Sequence, residues 1–225
     1  MGFKSIARLA IFRCRNRRLY DDELHRSRLH QVAPDFSGKS IALIGNAQSI
    51  FDRSDGQLID DHDIVVRLNR GRVVTPKSQG YRTDVLSLAN TLSMAQVREM
   101  FGNPRLIWVT PKRELMHQSM VHQADCFPIS DWKRLYSLLN GRRPSAGLIT
   151  LFLLRESFSP TRISLFGFDW KRTKTFYHES GNRQSWHDWD AEQRLIEAWH
   201  TSDQRLAGPA LENSRLLSQT DLDRP

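Results

Sequence analysis

The sequence predicts an α/β protein built around a largely parallel sheet, and three observations support that prediction. Short apolar runs recur along the chain, amphipathic stretches separate them, and 225 residues suffice for one domain with its own core. Strands buried on both faces of a parallel sheet have this continuous apolar character. The predicted strands cover residues 40–44, 63–68, 84–88, 105–110 and 162–168, with a short strand near 126–129.

Helices are expected between these strands. They cover residues 91–101, a stretch after Pro111, a segment that begins at Asp131, residues 145–158 and residues 190–200. Thr91 is the expected cap of the first of these helices, and the strongly apolar composition of 145–158 predicts a buried helix. In parallel sheets ligands bind at the carboxyl ends of the strands, so the residues that follow each strand are the candidates for chemistry.

The charge balance points to anionic partners. The chain has 33 Lys and Arg against 25 Asp and Glu, a net charge of +8. A surplus of this kind favours nucleic acid, an acidic membrane or phosphorylated ligands, without choosing among them. The chain has only two cysteines, Cys14 and Cys126, and no apolar run of about 20 residues. We therefore expect a cytoplasmic protein.

The first residues form a basic amphipathic pattern. Apolar side chains share one helical face, namely Phe3, Ile6, Ala7, Ala10, Ile11 and Cys14, and arginines line the other faces. Such a helix can lie in the headgroup layer of an anionic membrane, or it can pack on the domain with its arginines in solvent. Both interpretations stay open. The predicted divisions are a basic segment and linker at 1–38, a catalytic domain at 39–200 and a polar, mobile tail at 201–225.

Two predicted strands end in residues suited to nucleotide binding. Gly45 and Asn46 follow the first strand, where glycine permits close backbone approach to a ligand. Asn69 follows the second strand, and its amide can both donate to and accept from a ribose or a pyrimidine. The preceding Asp61-His62-Asp63 has the spacing of a metal-binding pair, but such a pair belongs after a strand. We expect turn and capping roles for Asp60, His62 and Asp63, and no metal.

Later segments supply a helix start and two histidines. Ser145, Ala146 and Gly147 open the apolar helix, where free N–H groups and the helix dipole favour a phosphate; an ordinary serine cap is the alternative. His178 and His187 follow the fifth strand and could serve as proton donor and general base. The alternatives are ordinary surface histidines, or a metal phosphohydrolase built on His187-Asp188.

Taken together and in this order, these segments resemble the animal-type sialyltransferases, glycosyltransferase family 29. Residues 41–70 resemble the long motif of that family, and Gly80-Tyr81-Arg82-Thr83 its continuation. Residues 144–168 resemble the short motif. Tyr177-His178-Glu179 is similar to the third motif, and His187 with Glu192 gives the His-x4-Glu spacing of the very short motif. The similarity spans residues 41–196.

The resemblance implies a Rossmann-like variant of the glycosyltransferase A fold and an inverting transfer from a CMP-activated ulosonic acid, without metal or cofactor. By position, His187 would deprotonate the acceptor hydroxyl, and His178 would bind the CMP phosphate as it leaves. The nucleotide would lie against a set of residues from both halves of the chain, namely Gly45, Asn46, Asn69, Ser145, Ala146 and Gly147.

The donor implied by the resemblance is CMP-Kdo or CMP-sialic acid, and the acceptor a bacterial surface glycan such as lipopolysaccharide core or capsule. A basic N-terminal helix would suit a lipid-linked acceptor through peripheral contact of residues 1–20 with an anionic inner membrane. Two alternatives remain: a basic nucleic-acid-binding protein, which the net charge favours but for which no binding motif is present, and a family member that binds CMP without transferring a sugar.

Overall fold

A single parallel sheet organises the computed structural model, which describes residues 3–177 and 186–211. Over that range the sheet has seven strands, all pairs are parallel, and the order is β5-β4-β3-β2-β1-β6-β7. The strands are β1 (Ser40–Ile44), β2 (Ile64–Leu68), β3 (Val85–Leu88), β4 (Arg105–Trp108), β5 (Ala124–Cys126), β6 (Arg162–Phe166) and β7 (Leu206–Ala207). The predicted Rossmann-like α/β class is confirmed.

The topology reverses at β1. From β1 the chain adds β2 to β5 successively on one side, and then returns to place β6 on the other side of β1. Ile41 of β1 is in register with Ile64 on β2 and with Ile163 on β6. In an open parallel sheet, the point where the strand order reverses opens a crevice at the carboxyl ends, which is where ligands bind. The residues after β1, β2 and β6 therefore meet at one place.

Helices cover both faces of the sheet. They are α1 (Phe3–Arg15), α2 (Asp22–Val32), α3 (Gly56–Asp60), α4 (Pro76–Gln79), α5 (Met94–Phe101), α6 (Ile129–Leu138), α7 (Ala146–Ser157) and α8 (Trp189–Ser202). In α7 every residue from Gly147 to Leu154 is buried, as its almost entirely apolar sequence predicts. Its Thr150 hydroxyl lies 2.6 Å from the hydroxyl of Ser87 on β3, so the one polar side chain in this stretch has a partner.

Three predicted helices differ from the observed ones. The helix at 91–101 begins at Met94 and is capped by Ser93, which forms a reciprocal capping box with Gln96. Thr91 instead donates its hydroxyl to the carbonyl of Leu115. The stretch after Pro111 is not an α-helix but two short 3₁₀ turns, Arg113–Leu115 and Gln118–Met120. The helix expected to begin at Asp131 is α6, which starts two residues earlier.

Arg113 explains why the stretch after β4 is irregular. Its side chain is fully buried, and its guanidinium donates to four backbone carbonyls. The acceptors are Leu19, Trp108, Thr110 and Phe127. A buried guanidinium requires such acceptors because leaving its N–H groups unpaired away from water is costly. The chain after β4 therefore folds around this side chain and holds the turn before α2 against the sheet.

The sheet continues beyond residue 200. β7 pairs with β6, with Leu206 opposite Ile163, and Ala210 and Leu211 are buried in the same core. Part of the stretch expected to be a mobile tail is thus packed, while the proposed divisions at 38 and 200 stay predictions. Within the described parts of the chain, none of the helices combines the length and apolar character needed to cross a bilayer.

Candidate active site

The carboxyl ends of β1 and β6 touch through their glycines. A Cβ atom on Gly45 would lie 2.3 Å from the carbonyl oxygen of Gly167, so no larger residue fits there without moving backbone. Gly167 itself has φ +65°, a conformation that glycine adopts readily. The N–H of Gly45 donates to the carbonyl of Phe166 at 2.7 Å, which extends the β1–β6 pairing past the strand ends. Gly45 is therefore required for this close approach.

Asn46 joins three segments at this edge. Its Nδ2 donates to the carbonyl of Leu68 at 3.0 Å and lies 3.3 Å from the hydroxyl of Tyr177. The backbone carbonyl of Asn46 accepts from the N–H of Phe176 at 3.1 Å. The loop after β6 therefore lies along the loop after β1, and Tyr177 is brought beside the end of β2.

Asn69 shapes the end of β2 with both its backbone and its side chain. It has φ 55°, in the left-handed region that asparagine tolerates better than most residues. Its Oδ1 accepts from the N–H of Ala89 at 2.8 Å, which ties β2 to the end of β3. Within the described chain, Nδ2 of Asn69 has no hydrogen-bonding partner, and Oδ1 of Asn46 lies against Gly71, where a Cβ atom would come within 2.0 Å of it.

Ser145 is the N-cap of α7, and a buried carboxylate holds it. Its hydroxyl oxygen accepts from the N–H of Leu148 at 3.2 Å. Its own N–H and hydroxyl donate to the two carboxylate oxygens of Glu192, at 2.7 and 2.6 Å. The side chain of Glu192 is only 2% exposed. Ser145 is thus an ordinary N-cap and also opens the helix start proposed for phosphate binding. Glu192 on α8 holds it in place.

The first turn of α7 packs closely on the loop after β6. A Cβ atom on Gly147 would lie 2.7 Å from Cε1 of Phe168 and 3.5 Å from Cδ1 of Leu68. The N–H groups of Ala146 and Gly147 belong to the first helical turn and have no acceptor within the helix. The start of α7 therefore lies beside the end of β2, where it can present backbone donors to an anion.

His187 precedes α8 and lies next to the start of α7. Its Nδ1 is 2.8 Å from the carbonyl oxygen of Arg143 and 4.0 Å from Oε1 of Glu192. A backbone carbonyl only accepts, so Nδ1 carries the hydrogen and Nε2 carries the lone pair. Burial lowers the pKa of His187, the Arg143 carbonyl opposes that shift, and the charges of Arg143 and Lys171 add to it. The imidazole is therefore neutral near pH 7.

The pKa of Glu192 shifts in the opposite direction to that of His187, also because of burial. Burial raises its pKa to about 7, against the two hydrogen bonds from Ser145, which favour the carboxylate. Burial thus favours the neutral form of both Glu192 and His187, so their 4.0 Å approach is not a strong ion pair. The carboxylate acts chiefly on Ser145, and the imidazole retains a basic nitrogen.

A continuous set of contacts links the predicted site residues. It runs from Asn46 through Leu68 to the start of α7, and from Ser145 through Glu192 to His187. His178 lies outside the described residues. The amino-acid pattern did not identify the bond between Glu192 and Ser145, although the signal was present. Residues 192, 196 and 199 share one apolar face of α8, and an acidic residue on such a face needs a partner.

The residues considered for metal binding have structural roles. Asp60 accepts from the N–H groups of Tyr81 and Arg82, and Asp63 from Ser40. His62 lies within 2.8 Å of the Leu58 carbonyl and 2.9 Å of the Ser164 hydroxyl. Asp188 caps α8 by accepting from the N–H of Ala191. Asp60 and Asp63 therefore join separate segments of the chain, and the carboxylate of the His187-Asp188 pair is engaged by a helix.

Comparison with known proteins identifies the fold. No protein-family model matches the chain, and no curated protein matches its sequence. A mammalian sialyltransferase structure matches with a TM-score of 0.60 at 16% identity, covering 84% of this chain and 79% of that one. The sialyltransferase CstII from Campylobacter jejuni, solved with CMP, matches with a TM-score of 0.51 at 13% identity, covering 76% and 80%. The chain therefore has the sialyltransferase fold.

Proposed function

We propose that this protein is a glycosyltransferase that moves an ulosonic acid, Kdo or sialic acid, from a CMP-activated donor to a glycan acceptor. The observation that supports this most is the neutral His187 imidazole beside the start of α7, with Nδ1 held by the Arg143 carbonyl. A base of this kind beside an anion-binding helix start is what transfer from a nucleotide requires. The fold shared with a CMP-bound sialyltransferase adds independent support.

The proton transfer follows from the tautomer of His187. Nε2 takes the proton of the acceptor hydroxyl as that oxygen attacks the anomeric carbon of the donor sugar. The bond between that carbon and the CMP phosphate breaks, and the phosphate leaves with the electron pair. Attack from the face opposite the leaving group inverts the anomeric configuration. A general base of this kind contributes about 10²- to 10⁴-fold to the rate.

The nucleotide and its phosphate are assigned to the edge shared by β1, β2 and α7. The Gly45 turn and the side-chain amides of Asn46 and Asn69 would contact the nucleoside. The first-turn N–H groups of Ala146 and Gly147 would contact the phosphate. The dipole of α7 favours negative charge at this end. His178, one residue beyond Tyr177, is assigned to the departing phosphate on its sequence position alone.

His187→Asn tests the base. The Asn Nδ2 can donate to the Arg143 carbonyl as Nδ1 does, but Nε2 is lost, so transfer should fall by about 10²-fold or more while CMP affinity stays within about twofold. Initial rates of sugar transfer and calorimetric titration with CMP measure the two quantities. His30→Asn, an exposed site on α2, is the matched control and should keep wild-type activity. A His187→Asn variant with near wild-type turnover would show that another group is the base.

A nucleotide panel tests the donor class. CMP should raise the midpoint of thermal unfolding more than UMP, GMP and AMP, and either CMP-Kdo or CMP-sialic acid should be consumed in the presence of an acceptor. CMP binding without turnover of either donor would favour the CMP-binding member without transferase activity. Salt-sensitive RNA binding without a CMP response would favour the nucleic-acid-binding alternative, and loss of activity with a chelator would contradict metal independence.

The acceptor proposed is a bacterial surface glycan such as lipopolysaccharide core or capsule, reached at the inner face of the membrane. The charge of +8 and the basic α1 favour peripheral contact of residues 1–20 with anionic lipid. Transfer to a lipid-linked acceptor in vesicles, compared with the same glycan free in solution, tests this. Equal rates on the two acceptors would argue against a membrane-bound substrate.

A further inference from the structure

A basic cavity lies away from the candidate active site, where the end of α1, the following turn and α2 meet the loop before β5. Its volume is about 240 Å³. Six basic side chains line it, namely Arg15, Arg17, Arg18, His25, Arg28 and His122, and no acidic residue does so within the described chain. Four like charges around one cavity repel one another unless an anion lies among them.

The four arginines of this cavity differ from the ion-paired arginines of the protein. Arg26, Arg155 and Arg205 lie within ion-pair distance of carboxylates. In the described chain, no carboxylate comes within that distance of the guanidinium groups that line the cavity. Arg28 is half-buried and Arg18 is exposed at the rim, so one of these charges has lost part of its hydration without gaining a counterion.

His25 forms part of the inner wall of the cavity. It is 1% exposed, and neither ring nitrogen has a hydrogen bond of good geometry. The Leu19 carbonyl, which accepts from Arg113 at 3.1 Å and has a second lone pair, is the backbone group that acts on the ring. Burial, with the charges of Arg113 and Arg28, lowers the pKa of His25 against the effect of this carbonyl, so the ring is neutral near pH 7. Its nitrogens have essentially no exposed surface, so the attraction of the cavity for an anion comes from the arginines.

We propose that this cavity binds a phosphate group, held by the guanidinium groups of Arg18 and Arg28. Guanidinium groups match the geometry of phosphate oxygens and form strong charge-assisted hydrogen bonds with them. A volume of about 240 Å³ lies below the range of roughly 300–1,000 Å³ typical of whole small-molecule sites. The cavity therefore accepts a phosphate headgroup rather than an entire nucleotide or glycolipid. This inference does not depend on the proposed transferase activity.

The phosphate has two possible sources with the same chemistry, a free phosphate ester and the headgroup of an anionic lipid. The position of the cavity favours the headgroup. It adjoins the end of α1, the basic amphipathic helix, on which Ile11 is 54% exposed. A helix of this type lies at the depth of lipid headgroups, which would bring their phosphates to the cavity mouth.

Titration with inorganic phosphate and with glycerol 3-phosphate, against sodium chloride at equal ionic strength, tests the site. Both phosphates should bind wild-type protein saturably and raise its unfolding temperature. Arg28→Gln should weaken that binding by about tenfold or more, and the exposed Arg18→Gln, which should not disturb folding, by a few-fold. Arg98→Gln removes an equal charge from an exposed position on α5 and should change the affinity by less than about twofold.

Sedimentation with vesicles identifies the source. Stronger pelleting of wild-type protein and Arg98→Gln than of Arg28→Gln on phosphatidylglycerol vesicles, with little pelleting on phosphatidylcholine, indicates a lipid headgroup. Equal pelleting of all three with retained phosphate binding indicates a free phosphate ester. The proposal is overturned if wild-type protein shows no saturable phosphate response beyond chloride, or if Arg28→Gln and Arg98→Gln respond alike. An unchanged CMP response in Arg28→Gln separates this site from the transfer site.

Discussion

Two buried ionisable side chains in different regions of the molecule, Glu192 and His25, differ in how the protein pairs their polar atoms. At the junction of α7 and α8, Glu192 receives two hydrogen bonds from Ser145. At the basic cavity, His25 is as deeply buried, yet neither ring nitrogen has a partner. Both residues lie on the core-facing side of a helix. The difference is that the chain supplies well-formed hydrogen bonds to the first side chain and none of good geometry to the second.

The comparison teaches that the partners of a buried polar group decide whether that group stabilises the fold or weakens it. A buried polar group whose bonds are all made within the chain is explained by folding alone, and Glu192 fits that description because it fixes the start of α7. A buried polar group without such bonds lowers stability unless a ligand supplies them. The predictions below measure how far the two regions differ in this respect.

The largest expected effect is the pH dependence contributed by Glu192. Its pKa is raised from 4.5 to about 7 in the folded chain, so the folded state binds the proton more tightly than the unfolded state. Its stabilisation is full below about pH 4.5 and is lost as the pH rises to 7, a change of up to about 3 kcal/mol. Glu192→Gln should remove that change. Urea unfolding of both proteins from pH 4.5 to 8 measures the difference.

Wild type must be compared with Glu192→Gln because His187 also contributes to the pH dependence of the unfolding free energy, with the opposite sign. Burial lowers its pKa, so its contribution is present above the unfolded value of 6.5 and is lost as the pH falls through the lower folded value. That contribution largely cancels when wild type is compared with Glu192→Gln. Glu99→Gln, at an exposed site on α5, should leave the profile unchanged. Parallel curves for wild type and Glu192→Gln would mean that the buried carboxyl titrates normally.

The next effect concerns the two serine caps. Ser145→Ala loses both the hydroxyl bond to Leu148 and the hydroxyl bond to Glu192, and should cost about 2–3 kcal/mol at pH 8. Ser93→Ala, in the capping box of α5, loses only a cap and should cost about 1 kcal/mol. The difference in unfolding free energy between the two variants measures the bond to the buried carboxylate. Equal losses would show that Glu192 adds nothing to an ordinary cap.

The smallest expected effect is at His25. In phosphate-free buffer, His25→Leu should leave the unfolding free energy unchanged or raise it by up to about 1 kcal/mol, because it removes polar atoms that have no partner. His62→Leu is the matched control, since both ring nitrogens of His62 are bonded, and it should lose about 2 kcal/mol. A comparable loss in both variants would mean that His25 already has a partner within the folded protein.

The sheet was largely predictable from sequence because strands that are buried on both faces form continuous apolar runs, which are easy to recognise. Residues 40–44 formed the predicted strand without adjustment, and the predicted strands beginning at 63, 84, 105 and 162 each contain an observed strand. β5 lies at 124–126, two residues before the start of the short strand predicted near 126–129, and β7, only two residues long, was placed in the tail. The region after Pro111 differed because Arg113, with a polar side chain, occupies the interior there.

The candidate site was predictable in position but not in its connections. Gly45, Asn46 and Asn69 could be located because the carboxyl ends of parallel strands meet at one edge. The bond from α7 to Glu192 joins residues 47 positions apart, and no local pattern encodes a contact of that kind. For the same reason the burial of His25 was not foreseen, since it depends on packing α2 against residues near position 120.

The four carbonyls gathered around Arg113 bear on how the protein can be handled at the bench. One of them, at Leu19, belongs to the N-terminal region, and Asp22 at the start of α2 accepts from the N–H groups of Ile129 and Ser130. Trimming the chain to begin at residue 39 would remove one of the four acceptors of this interior cation and expose the apolar surface around β5. The helices before the sheet are therefore expected to melt together with it, in one cooperative step.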